Sequence, residues 1–209
     1  AIYDPIFIHE LTNIEEHENV SGFKGNMVHY VISGRSHEAV KDMTETLMQS
    51  LIRAKRISSR RMEVISEIEP DVYLVQNHLN DIIEGNYGGV VVLDLTEKFG
   101  CDPVDYTLTS KYIVNLLKEY RNKCLFVFTY NMDNPGFSYQ ILPQIKKYVI
   151  PVMLREGRGD RRAAIRYMKA LIKDSEYAEY AGQASEFMKL FPGNDFTQTD
   201  VLIAYEQFE

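Results

Sequence analysis

The segment best placed for phosphate chemistry runs Gly34-Arg-Ser-His-Glu-Ala-Val-Lys-Asp42, directly after the apolar stretch Met27-Val-His-Tyr-Val-Ile-Ser33. A phosphate-binding loop at a strand-to-helix turn needs glycines for close backbone approach. It also needs a lysine for the β/γ-phosphates and a hydroxyl for Mg²⁺. Gly34 supplies the first glycine, but Ala39 stands where the second belongs, Val40 where the lysine belongs and Lys41 where Ser or Thr belongs. Alone, the segment reads as a strand, a turn and a helix capped by Ser36.

A second segment, Val90-Val-Val-Leu-Asp-Leu-Thr-Glu97, ends an apolar run on Asp94. An Asp there can support Mg²⁺, and a glutamate directly after it can activate water. Leu95 takes that glutamate's place. Glu97 lies two residues on, where a strand returns a side chain to the same face, so it is a displaced substitute. The candidate nucleotide site, a vestigial one, therefore comprises Gly34, Ser36, Lys41, Asp94, Glu97 and Asn131. No catalytic residue is assigned, because Ser33, Ser36 and Ser110 have no legible His/Asp partners.

Arg155, Arg158, Arg161, Arg162 and Arg166 fall within twelve residues and form a candidate contact for an anion, a nucleic acid or an acidic partner. The competing reading is a solvated helix start. His29, His37 and His78 share no metal-ligand spacing, and neither do Cys101 and Cys124, so no metal is expected. His29 is expected to pack in or beside a strand, and His37 to fill space left by a missing phosphate. Among the 14 tyrosines, Tyr106, Tyr112 and Tyr120 recur along one segment and read as core-edge packing.

These groups need elements to position them. β-rich runs predict strands over 27–33, 62–68, 90–93, 124–128 and 148–154, and helical spacing predicts helices over 36–55, 72–84 and 105–120, with a short one over 140–147. After Leu154 no strand is predicted, and helices are expected over 161–173, 177–190 and 199–208. Strands alternating with helices imply a parallel sheet. The expected organisation is an irregular lead-in over 1–25 with at most short structure, an α/β domain over 26–155 and a helical lid over 156–209.

At 209 residues the chain is long enough for one α/β domain with a small appendage. A net charge of −7 argues against nucleic-acid binding through the whole surface. With no apolar run of membrane length and no secretory signal, the expected location is cytoplasmic. Two cysteines in an ordinary composition fit a reducing compartment.

Taken in order, the remnants resemble an AAA+ ATPase module. Gly88-Gly-Val-Val-Val-Leu-Asp94 resembles the family's Gly-Gly-Val-Leu-Phe-Ile-Asp-Glu element. Leu125-Phe-Val-Phe-Thr-Tyr130 resembles the sensor-1 strand of the branch holding red-type Rubisco activase and stage V sporulation protein K. Met132-Asp-Asn-Pro-Gly-Phe137 resembles that branch's Asn-Pro-Gly motif, and Gly193-Asn194 the start of its sensor-2 helix. The resemblance implies a P-loop NTPase-like five-stranded parallel sheet of order 5-1-4-3-2, a helical lid and a tendency to form rings.

The departures from that pattern are as informative as the matches. Val40 replaces the loop lysine, Leu95 the catalytic glutamate, Gln140 the arginine finger and Phe196 the sensor-2 arginine. An arginine finger alone is worth roughly 10³–10⁵ in turnover. The resemblance therefore implies a pseudo-ATPase module without hydrolysis, with ATP, ADP and Mg²⁺ not expected as cofactors. Its role would be structural or protein-binding, within a larger AAA+ protein or assembly beside a competent AAA+ module, as part of a homo- or hetero-oligomer. Two alternatives stay open: an atypical nucleotide enzyme using Lys41, Asp94 and Glu97, and a nucleic-acid-binding module using the 155–166 arginines.

Overall fold

Four consecutive apolar residues starting at Val90 have no polar face to offer water, so they form a strand only where both faces are covered. In the computed structural model they do so as an inner strand of a sheet. The structure describes residues 2–16, 28–57, 62–65, 80–96 and 103–208, without the side chains of 103–106 and 108. The five strands are β1 (Tyr30–Gly34), β2 (Met62–Ile65), β3 (Val90–Leu95), β4 (Leu125–Asn131) and β5 (Val152–Arg155). All pair in parallel in the order β2-β3-β4-β1-β5. Read from the other edge, this is the order 5-1-4-3-2 that the resemblance implies. The fold is α/β, a five-stranded parallel sheet flanked by helices and followed by a helical C-terminal unit.

Alternation along each strand divides the core in two. Val31, Val91, Leu93, Phe126 and Phe128 face α3 (Pro103–Tyr120), whose Ile113, Leu116, Leu117 and Tyr120 cover them. Tyr30, Ile32, Val90, Val92 and Val127 face α2 (His37–Arg53), through Val40, Met43, Leu47 and Leu51. The register pairs Gly34 with Asn131 and Asp94 with Thr129, so the carboxyl ends of β1, β3 and β4 meet at one rim of the sheet. That rim is where open α/β sheets place ligands.

Several expectations shift. The first strand is described from Tyr30; His29, just before it, is tied by its side chain to β4, and Met27 lies outside the described residues. Expected strand 62–68 and helix 72–84 are seen only as β2 and a helical turn at 80–84; the remainder, including His78, lies outside the described residues. The helix foreseen over 140–147 is a π-helical turn, Phe137–Ile141, running into α4 (Leu142–Ile145), whose first turn accommodates Pro143. The fifth strand is shorter than 148–154, since Tyr148 and Val149 pack sideways on the core and Ile150 is exposed.

Two expectations are corrected outright. Over its described residues the lead-in is not irregular: α1 spans Pro5–Glu16, started by Asp4, whose side chain accepts the Ile6 N–H at 2.9 Å, and 17–25 lie outside the described residues. Phe7 and Ile14 bury against α2, while Ile2 packs into the C-terminal helical core. The region after Leu154 does contain strands: β6 (Arg158–Gly159) pairs antiparallel with β7 (Phe196–Thr197). A two-residue strand has no periodicity to read. Around this ribbon pack α5 (Arg161–Lys173), a 3₁₀ turn (Ala178–Gln183), α6 (Ala184–Met188) and α7 (Gln198–Phe208), where one helix over 177–190 was foreseen. No helix among the described residues is long and apolar enough to cross a membrane.

Candidate functional site

Only Arg35 and Ser36 separate β1 from α2. Ser36 caps the helix, its hydroxyl accepting the Ala39 N–H at 3.2 Å and its carbonyl the Val40 N–H at 3.3 Å. Ala39, Val40 and Lys41 therefore lie in the first helical turns, not in a loop. A Cβ on Gly34 would sit 2.8 Å from a Val40 methyl, so the glycine serves close packing of strand on helix. Val40, at the position a phosphate-binding lysine would take, is 2% exposed and belongs to the α2 core.

The space above this turn is held by a carboxylate that the sequence reading did not single out. Glu156 follows β5 and is 4% exposed. One of its oxygens accepts the Arg35 N–H at 2.9 Å. The other accepts the Thr199 N–H at 3.1 Å and the Thr199 hydroxyl at 2.6 Å. Thr199 lies in the first turn of α7, where free N–H groups favour an anion. The Thr199 hydroxyl also meets Ser36 Oγ at 3.0 Å. A protein carboxylate thus joins the β1–α2 turn to the N-terminus of the last helix, accepting from the kind of donors a bound phosphate uses.

Beside it, Asp42 of α2 accepts Gln198 Nε2 at 2.7 Å and the Tyr3 hydroxyl at 3.0 Å. Burial raises the Tyr3 phenol well above its ordinary value, with the nearby Asp42 charge adding to the effect, so Tyr3 stays a neutral donor. The N-terminal segment crosses this joint closely: a Cβ on Gly157 would lie 2.5 Å from the Ile2 carbonyl oxygen.

Asp94 is 8% exposed and densely hydrogen-bonded. Its Oδ1 accepts from the Thr129 hydroxyl at 2.8 Å, the Thr96 hydroxyl at 2.7 Å and the Thr96 N–H at 3.1 Å. His37 Nδ1 lies 3.2 Å from Oδ2 and 2.9 Å from Thr96 Oγ1. His37 thus contacts the Asp that would support Mg²⁺. Lys41 is exposed and lines, with His37, Thr44, Glu45, Asp94 and Thr129, a cavity of about 350 Å³ floored by Val40, Val92, Met62 and Val64. Glu97 and Cys101 lie outside the described residues. Asn131 ends β4, its side chain accepting the Asp133 N–H at 2.9 Å, and its Nδ2 lies 3.5 Å from the Arg35 carbonyl.

At the other departures from the pattern, Leu95 is buried in β3, Gln140 is exposed on the π-turn, and Phe196 is buried beneath the Arg161 guanidinium, 5.3 Å from the ring centre. His29 is structural: Nδ1 accepts the Phe126 N–H at 3.0 Å and Nε2 donates to the Arg121 carbonyl at 3.0 Å. Burial pulls its pKa down to about 4.

The arginine cluster is dispersed. Arg155 pairs with Asp4 at 3.0 Å, Arg158 approaches Asp195 at 3.7 Å, and Arg161 donates to the carbonyls of Met188, Phe191 and Gly193. Only Arg162 and Arg166 extend outward without an ion pair among the described residues.

Neither a protein-family model nor a curated protein matches the chain. Similar solved structures include the DnaC helicase loader (15% identity over 74% of this chain and 92% of that one, TM-score 0.45). The Aeropyrum pernix ORC1 protein in complex with DNA is 14% identical over the whole of this chain and 67% of its own, with a TM-score of 0.47. Saccharomyces cerevisiae RIF2 is 10% identical over 88% and 74%, with a TM-score of 0.46. At identities this low, likeness says nothing of ligand or partner.

Proposed function

We propose that this chain is a pseudo-ATPase module of AAA+ type, in which the nucleotide position has become an internal structural joint. Its role is to hold or bind protein partners, beside a competent AAA+ module in the same assembly. The observation that carries this reading is Glu156. Its buried carboxylate accepts from the β1–α2 turn and from the first turn of α7, and an incoming phosphate would have to displace it against like-charge repulsion.

Three further features support the reading. A turn of Arg35 and Ser36 is too short to wrap a phosphate chain. Val40 faces the core where a lysine would face phosphate. One Asp94 oxygen, Oδ1, already accepts three protein hydrogen bonds, and His37 Nδ1 lies 3.2 Å from the other.

Titration calorimetry with ATP and with ADP, each with Mg²⁺, tests this. The expected result is no heat of binding at micromolar concentrations and no phosphate release. Micromolar affinity accompanied by turnover would overturn it.

A second reading has one observation in its favour: Lys41 and Asp94 line the same cavity of about 350 Å³. This is the atypical nucleotide enzyme. It predicts an activity that Lys41→Ala and Asp94→Asn each abolish, and the absence of any such activity eliminates it.

A further inference from the structure

The helix α5 carries Arg161, Arg162, Arg166, Lys169 and Lys173 and no acidic residue, in a chain whose net charge is −7. Asp160 fixes where the helix starts by accepting the Ala163 N–H at 2.8 Å. Burial of Ala164, Tyr167, Met168 and Ile172 fixes which way it faces. Arg161 turns back to satisfy three carbonyls. The other four cations are all exposed, and no hydrogen bond or ion pair holds any of them among the described residues. Their spacing of four, three and four residues places them within about 60° of arc and along about 16 Å of helix, at 3.6 residues per turn and 1.5 Å per residue.

We propose that this stripe, Arg162, Arg166, Lys169 and Lys173, binds the phosphate backbone of duplex nucleic acid without reading sequence. A duplex presents a negative charge every ~1.7 Å of its axis, the extended regular array that a straight row of cations complements. The chemistry of the stripe disfavours the other polyanionic or amphipathic partners. Specific protein interfaces centre on apolar and aromatic anchors and are depleted in Lys, whereas the large apolar residues of α5 are buried in, or packed against, the C-terminal core. An interfacial membrane helix needs an apolar face to insert, and that face is buried here. Single strands are gripped by stacking on aromatic side chains, and the stripe carries none. Asp174, Glu176 and Glu179 follow the helix and bound the stripe at its C-terminal end.

The test is fluorescence anisotropy of the full chain with a labelled 20-base-pair duplex of random sequence, titrated across salt concentrations. Four phosphate contacts predict a log–log salt slope of about −3 to −4 and weak binding, with Kd roughly 10⁻⁴–10⁻⁶ M at physiological salt. The double variant R166Q/K169Q is expected to flatten the slope by about 2 and to weaken low-salt binding at least tenfold. The surface control K146Q/K147Q is expected to leave both unchanged. No binding at low salt overturns the proposal, as does equal loss in both variants. Equal competition by poly-glutamate at matched charge would point to an acidic protein instead. Tighter binding of a single-stranded oligonucleotide would overturn the assignment to duplex.

Discussion

Glu156 and Thr199, 43 residues apart, are joined by two hydrogen bonds, from the Thr199 N–H at 3.1 Å and from its hydroxyl at 2.6 Å, to the same carboxylate oxygen. The partner oxygen holds Arg35. Three segments distant in sequence meet on one buried side chain. Truncating it takes their acceptor from the Arg35 and Thr199 N–H groups and leaves the Thr199 hydroxyl only Ser36. Glu156→Ala is expected to cost about 3 kcal/mol in denaturant unfolding, since hydrogen bonds to a charged group are worth about 1.5–3 kcal/mol and orphaned donors add to the loss. Glu156→Gln, which keeps the shape and one acceptor, is expected to cost less. Hydrogen exchange at the start of α7 should rise in the alanine variant; unchanged protection there would show that the joint is held by something else.

Restoring the family lysine is not expected to restore nucleotide binding. Val40 is buried against Gly34 in the first turn of α2, so Val40→Lys desolvates a charge at roughly 2 kcal/mol or more without lengthening the turn. Calorimetry with ATP and Mg²⁺ is expected to stay silent while the melting temperature falls. A gain of micromolar ATP affinity from this single change would mean that the missing lysine alone disables the site.

Stability is expected to fall in mild acid because of His29. Burial depresses its folded pKa to about 4 from an ordinary 6.5, so between those values the unfolded chain binds more protons. The contribution is complete above about pH 6.5 and is lost as pH falls through about 4, amounting to at most about 3 kcal/mol at 1.36 kcal/mol per unit. Protonated Nδ1 can no longer accept the Phe126 N–H. Comparing unfolding at pH 7 and pH 5 for the wild type and for His29→Gln checks this: the variant is expected to be less stable at pH 7 and flatter with pH.

Gly157→Ala is expected to loosen the N-terminal segment. The added methyl would meet the Ile2 carbonyl oxygen and Tyr3 carbonyl carbon at 2.5 Å and the Asp4 nitrogen at 2.6 Å, all backbone, so nothing can rotate away. Overpacking of this kind costs about 1–3 kcal/mol. Faster proteolysis within 2–16, with the sheet's exchange protection retained, is the expected signature. A variant as stable and as protease-resistant as the wild type would show that the segment shifts freely.

The sequence by itself determined the inner strands. Runs such as Val90 to Leu93 and Leu125 to Phe128 have no polar alternation, which commits them to strands covered on both faces, and the Ser36 cap and the period through Val40, Met43, Leu47 and Leu51 commit α2. It also determined that the lysine of a phosphate loop is missing. The helix α1 was missed: Asp4-Pro5 and the helical spacing of Phe7, Leu11 and Ile14 carry its signal, but the acidic residues after it masked it. What only the tertiary structure decided was where the charges go. Glu156 sits between arginines in a run that reads as basic surface, yet it is buried because the β1–α2 turn and α7 bring Arg35 and Thr199 to it. Of five clustered arginines, three are drawn to Asp4, Asp195 and backbone carbonyls, while Lys169 and Lys173 join the two left free. Apolar patterning is local and is written along one element. A hydrogen-bonded carboxylate depends on donors contributed by segments that meet only after the chain has folded, so its partners cannot be read from spacing.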